Sequence, residues 1–202
     1  MKIEIEYLED DYLESARCLL SGYEFNDYRN YRVLKKENTR EYIFKHIREV
    51  LSNDRHSSVI IARIGEDVVG LALLRYLPWD SRHFNFNISE ITHLVAESNY
   101  KRSYKIKINL LDFILSLCRK NKVRHIACKL DTGDLAGIHA LEEKGFKNMD
   151  TVMTYIFNRF NFKIPRLKEL YKVRAFKKKD LDALLKIAEN SFVNSRLQGY
   201  LF

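Results

Sequence analysis

Glycine and proline are scarce, with seven and two in 202 residues. The chain therefore has no low-complexity linker to mark its elements, which must be read from hydrophobic periodicity. Cysteine is scarce too: Cys18, Cys118 and Cys128 are odd in number and far apart. That excludes a disulfide framework and fits reduced thiols in a cytoplasmic protein. Each lies in an apolar stripe or strand, so all three are expected to be buried small hydrophobes rather than nucleophiles. No G-x-S-x-G elbow is present to supply a serine nucleophile. His125 and Cys128 are the nearest thing to a metal pair, but strand alternation sends residues three apart to opposite faces. No apolar run is long enough to span a bilayer. The opening MKIEIEYLEDDYLES lacks the basic start and apolar run of a secretory signal.

What is present is a core and a charge excess. Hydrophobic residues make up 46% of the chain, and 35 Lys and Arg stand against 27 Asp and Glu, a formal charge of +8. The excess favours an anionic partner, whether nucleic acid, a nucleotide-bearing cofactor or an acidic surface. Nucleic acid is the weakest of these, because the aromatic residues do not interleave with the basic run as a stacking platform requires. The length is that of one large domain, or of one domain and part of another.

Periodicity gives the order. Ile3, Ile5 and Tyr7 alternate with Glu4 and Glu6 as in a half-buried strand, and EDDYLESARCLL then shifts to helical spacing. Residues 39–51 predict a helix with Ile43, Ile47 and Val50 on one face and Thr39 as N-cap. SSVIIARIGEDVVGLALLRYL predicts two strands joined by a turn at Gly65 to Asp67, and ISEITHLVA a further strand. A long helix follows, with Ile108, Leu111, Leu115 and Cys118 along one face. VRHIACKLD reads as a strand, DLAGIHALEEKG as a helix ended by Gly145, and VMTYIFN as a last strand. The tail repeats the beginning: KVRAFKKKDLDALLKIAENSF again gives a short strand and a helix, offset from the opening by about 170 residues. A second unit starting near 172, as in a fragment of a longer tandem protein, is expected from this repeat.

Three places carry candidate chemistry. Lys101, Arg102, Lys105 and Lys107 fall where a strand gives way to a helix, and cations there oppose the helix dipole, so an anion would relieve them. Glu90 in ISEITHLV is a candidate base for an amine. In LPWDSRHFNF, Pro78 ends a strand, Trp79 and Phe84 are expected to fold back as an apolar plug, and Asp80 to cap the turn through the Ser81 to His83 amides. The competing role for Trp79 and Asp80 is recognition of an acceptor.

In this order the elements resemble the GCN5-related N-acetyltransferases (GNAT), through VIIARIGEDVVGLALLRYL, ISEITHLVAES, Lys101 to Asn121 and ALEEKGFKNMDTV. LPWDSRHFNF with ACKLDTGDLAGIHALEEKGFKNMDTVMTYIF and VRAFKKKDLDALLKIAENSFVNSR resembles, more narrowly, the dTDP-fucosamine acetyltransferases, whose degenerate first domain precedes a working second one. The resemblance implies an α/β fold, a mixed and mainly antiparallel sheet flanked by helices. It divides the chain into residues 1–164, a linker 165–171 and an incomplete second unit 172–202. It implies acetyl-CoA as cosubstrate and a small-molecule amine as acceptor, with an intramolecular partner domain or a homodimer. The cofactor would lie against Leu94, Val95, Ala96, Arg102, Ser103, Lys105 and Lys107, with Trp79 and Asp80 toward the acceptor.

The departures bear on activity. Aligned on Arg102, the pyrophosphate loop places Lys105 and Lys107 where the family has small residues that let backbone amides reach the phosphates. Leu141 stands at the position of the general-acid tyrosine and Asp134 at that of a cofactor-contacting asparagine. A leucine donates no proton, and a carboxylate repels phosphate. The expectation is a degenerate domain supporting a catalytic one. The alternatives are an active domain whose four cations hold phosphates by charge, and a non-catalytic module binding a nucleotide-containing ligand or nucleic acid.

Overall fold

The computed structural model describes residues 2–25, 35–152 and 174–192. It divides into two units, Met1–Lys147 and Asn148–Phe202. In the first, β1 (Glu4–Tyr7) leads through a 3-10 turn at Asp10–Tyr12 into α1 (Leu13–Gly22), and α2 (Lys36–Asn53) follows. Next come β2 (Ser57–Ile64), β3 (Asp67–Tyr76), a short helix α3 (Pro78–Phe84) and β4 (Asn87–Ala96). The long α4 (Tyr100–Lys120), β5 (Val123–Cys128) and α5 (Leu135–Glu143) complete it. The five strands lie in chain order in one sheet. All neighbours are antiparallel except β4 and β5, which run parallel because α4 crosses between them.

Both faces of the sheet are covered, and strand alternation sorts the core in two. Ile60, Ala62, Ala72, Leu74, Ile91 and Leu94 pack under Ile106, Leu110 and Ile114 of α4. Val59, Ile61, Leu71, Leu73 and Val95 face the other way, toward Ala16 and Leu20 of α1 and Ile43 and Ile47 of α2. That is why β2 and β3 read as almost unbroken apolar runs rather than as alternations. Gly70 sets the distance of α4: a Cβ there would stand 2.3 Å from Ile106 Cγ2.

Some boundaries move. α2 begins at Lys36 with Lys35 as N-cap, so Thr39 is inside the helix instead of capping it. LPWDSRHFNF is not a turn with a plug. Pro78 starts α3, where its missing N–H costs nothing, and Trp79 is 67% exposed, its ring stacked on His83 at 5.5 Å. Asp80 makes no capping bond; Ser81 Oγ instead accepts the Ile88 amide. Asn85 ends the helix at φ 58°, a left-handed value that asparagine tolerates. Cys18 is exposed on α1, contrary to expectation, while Cys118 is buried. The last predicted strand, VMTYIFN, lies almost wholly outside the described residues.

In the second unit the expected strand is not seen in the described part, where residues 174–177 carry no strand. A 3-10 turn at Lys178–Asp180 runs directly into α6 (Leu181–Phe192), as Asp10–Tyr12 runs into α1. Among the described residues, no helix is long and apolar enough to cross a membrane.

Candidate functional site

Pairing between β4 and β5 stops at Ile91 and Cys128, and from Thr92 to Ala96 the fourth strand continues against β3 alone. The two parallel strands thus part, and α4 and α5 begin beside the opening. A cleft of about 160 Å³ remains there, bordered by Gly22–Phe25, Ala96–Ser98, Tyr100, Ser103 and Gly133–Ala136. Ligand pockets run from roughly 300 to 1,000 Å³, so this cleft is small for one.

The space around it is taken by the protein's own charges. Lys107 projects from the buried face of α4 and places Nζ 2.5 Å from Asp134 Oδ2, each side chain being 1% exposed. Asp134 is the N-cap of α5, and its Oδ1 accepts the Gly137 amide at 3.0 Å. Tyr23, just past α1, donates its hydroxyl to Oδ2 at 3.0 Å. One carboxylate therefore receives donors from three segments. Only glycine fits at 137, since a Cβ there would stand 2.8 Å from Asp134 Oδ2 and 2.7 Å from Leu130 Cδ1. Burial lowers the Lys107 pKa, against the opposing pull of Asp134. Burial and the adjacent carboxylate raise that of Tyr23. The Cys128 thiol is pushed up to about 12 by burial, which removes it as a nucleophile.

The sequence candidates are brought together only in part. Ala96 and Ser103 border the cleft, and Leu94 and Val95 lie in the half of β4 that no longer pairs with β5. Arg102 pairs with Glu97 at 2.6 Å, and Lys101 and Lys105 are exposed. Lys107 is the correction: it is sealed against Asp134 and does not join the other three cations in facing an anion. At the start of α4, Asn99 is the N-cap and its side chain accepts the Arg102 amide. Leu141 is part of the core under α4. Lys107 is thus directed to Asp134 rather than to the cleft, whose border at the start of α4 is formed by Ser98, Tyr100 and Ser103.

The opposite face of β4 holds a second polar group. Thr92 is an extra residue, since Leu73 pairs with His93 and Leu74 with Ile91. This bulge lets Ile91 and Leu94 both bury under α4 and turns Glu90 and His93 the other way. Glu90 is 9% exposed and meets Arg75 at 2.8 Å and Lys129 at 3.6 Å. His93 Nε2 lies 3.2 Å from His46 Nδ1 on α2. Burial, then His46, lowers the His93 pKa to about 4, with Glu90 opposing. Trp79 and Asp80 are on α3, and Trp79 stacks on His83 of that same helix rather than on either group.

Sequence reasoning missed Tyr23, the histidine pair and the meeting of Lys107 with Asp134. One signal was available: Lys107 falls among Ser103, Ile106, Leu110 and Leu111 on the buried stripe of α4, where a lysine needs a partner.

No protein-family model matches the chain, and no curated protein does. Solved structures do. A transcriptional regulator from Bacillus halodurans C-125 superposes with a TM-score of 0.59 at 17% identity, over 77% of this chain and 100% of that one. A ribosomal-protein-alanine N-acetyltransferase from Brucella melitensis biovar Abortus 2308 gives 0.55 at 15% identity, over 77% and 100%. Glucosamine-6-phosphate N-acetyltransferase from Arabidopsis thaliana gives 0.54 at 14%, over 78% and 100%. Identity this low speaks to architecture, and the strand order, the parallel β4–β5 pair and the crossover helix agree with it. The chain has the acyl-CoA N-acyltransferase fold of the GNAT superfamily.

Proposed function

We propose that residues 1–164 are a supporting domain of an N-acetyltransferase, a domain that keeps the fold of the enzymes without transferring the acetyl group. The observation that supports this reading is the Lys107–Asp134 pair, buried beside the cleft at the β4–β5 opening. The acetyl group would pass from acetyl-CoA to a small-molecule amine, such as an amino sugar on a nucleotide, in a second unit opening near residue 172. Support for that unit comes from the like succession of 3-10 turn and helix at Asp10–Gly22 and Lys178–Phe192. The domain would act through this intramolecular neighbour or a second copy, in the cytoplasm and without nucleic acid.

Calorimetric titration with acetyl-CoA and with coenzyme A tests the reading. No heat up to about millimolar ligand is the expected result, and micromolar binding overturns it. A second reading, a module for a nucleotide-containing ligand, draws on exposed Lys101, Arg102 and Lys105 beside the cleft. It predicts binding of a nucleoside diphosphate that weakens when Lys101 and Lys105 are replaced by alanine.

A further inference from the structure

We propose that Lys107, Asp134 and Tyr23 form a built-in substitute for a bound cofactor, tying together the segments around the β4–β5 opening without any ligand. The inference rests on the supporting-domain reading and adds what the closed cleft does for the fold. Beyond Ile91 and Cys128 the two parallel strands no longer pair, so the segments on either side of the opening need another tie. Here α4, the start of α5 and the segment following α1 are joined by one carboxylate.

The chemistry of the pair makes it a unit. A lysine or an aspartate that is 1% exposed is strongly disfavoured by itself, because the charge loses its hydration. Together the two are tolerated, provided the remaining hydrogen-bonding capacity is met. For the carboxylate it is met here: Oδ2 accepts from Lys107 and Tyr23 and Oδ1 accepts from Gly137, while the Lys107 ammonium also lies 5.8 Å from the Tyr23 ring centre. The two sequence departures at 107 and 134 are thus one compensated feature. Each creates the need that the other fills.

Double-mutant analysis in the absence of cofactor tests this. Lys107→Met and Asp134→Asn are each expected to lower Tm by on the order of 10 °C, because each leaves one buried charge unpaired. The double variant is expected to lose less than either single one. If the singles do not fold, a folded double variant supports the proposal equally, and a double as unfolded as the singles overturns it. Additive losses at 107 and 134 also overturn it. Tyr23→Phe separates the tie from simple core packing: amide exchange over Tyr23–Phe25 is expected to rise about tenfold while β2 and β3 stay protected, and unchanged exchange there counts against the proposal. Acetyl-CoA binding by the unaltered chain would overturn the supporting-domain reading, whereas the coupling and exchange results judge the network itself.

Discussion

Under α4 the buried polar pair is ionic: Lys107 and Asp134, both 1% exposed and 2.5 Å apart. Across the sheet, under α2, it is a pair of histidines, His46 and His93, partly buried with nitrogens 3.2 Å apart. The first joins full charges in a dry place and depends on both partners being present. The second is held by His93, whose pKa burial and then His46 lower to about 4, so it answers to protons rather than to salt. One sheet therefore carries a sealed site on one face and a titratable one on the other.

The ionic side breaks hardest. Asp134→Ala removes the carboxylate, strips the N-cap from α5 and leaves the Lys107 ammonium unpaired. It should cost about 3–5 kcal/mol, read by urea unfolding at neutral pH. A loss below about 1 kcal/mol would erase the contrast between the faces.

The histidine side breaks with acid. Because the folded pKa of His93 is lowered from 6.5 to about 4, the unfolded chain takes up this proton first as pH falls. This contribution is fully present above about pH 6.5 and is lost progressively on the way down to about 4. The loss approaches roughly 3 kcal/mol at one proton and 1.36 kcal/mol per pH unit. Urea unfolding of the unaltered chain and of His93→Asn across that window checks it, and equal slopes in the two would assign the acid sensitivity to other groups.

A third substitution sets the floor. Trp79 is 67% exposed and stacked on an exposed histidine, so Trp79→Ala should change stability by no more than about 0.5 kcal/mol. A larger drop would restore the apolar plug that LPWDSRHFNF implies and would place a third region beside the two already compared.

Most of the fold is legible because its signals are local. The alternation of Ile3, Ile5 and Tyr7 with Glu4 and Glu6, the stripe along α4 and the glycine after EEK each lie within one element and report its period or its end. The failures have physical causes as well. Pro78 reads in sequence as a strand terminator, yet the same fixed φ and missing donor suit the first turn of a helix, and which role it takes depends on where the chain goes next. Cys18 reads as a buried thiol, but its position on α1 turns it to water. At the candidate site, the residue types alone show a lysine at 107 on an apolar stripe and an aspartate at 134 just before a helix. They do not show that the two meet.

The sequence by itself determined most of the elements and their order, because propensity, periodicity and residue type act over a few residues. Only the tertiary structure decided how the lysine at 107 and the aspartate at 134 are used. Residues 107 and 134 are brought within 2.5 Å by the packing of α5 beside α4. Burial then sets what they are worth, since a charge pair on the surface is nearly neutral in energy while the same pair out of water requires both members. The histidine pair is of the same kind. His46 and His93 are ordinary in the sequence, and the bulge at Thr92 and the seating of α2 put them together.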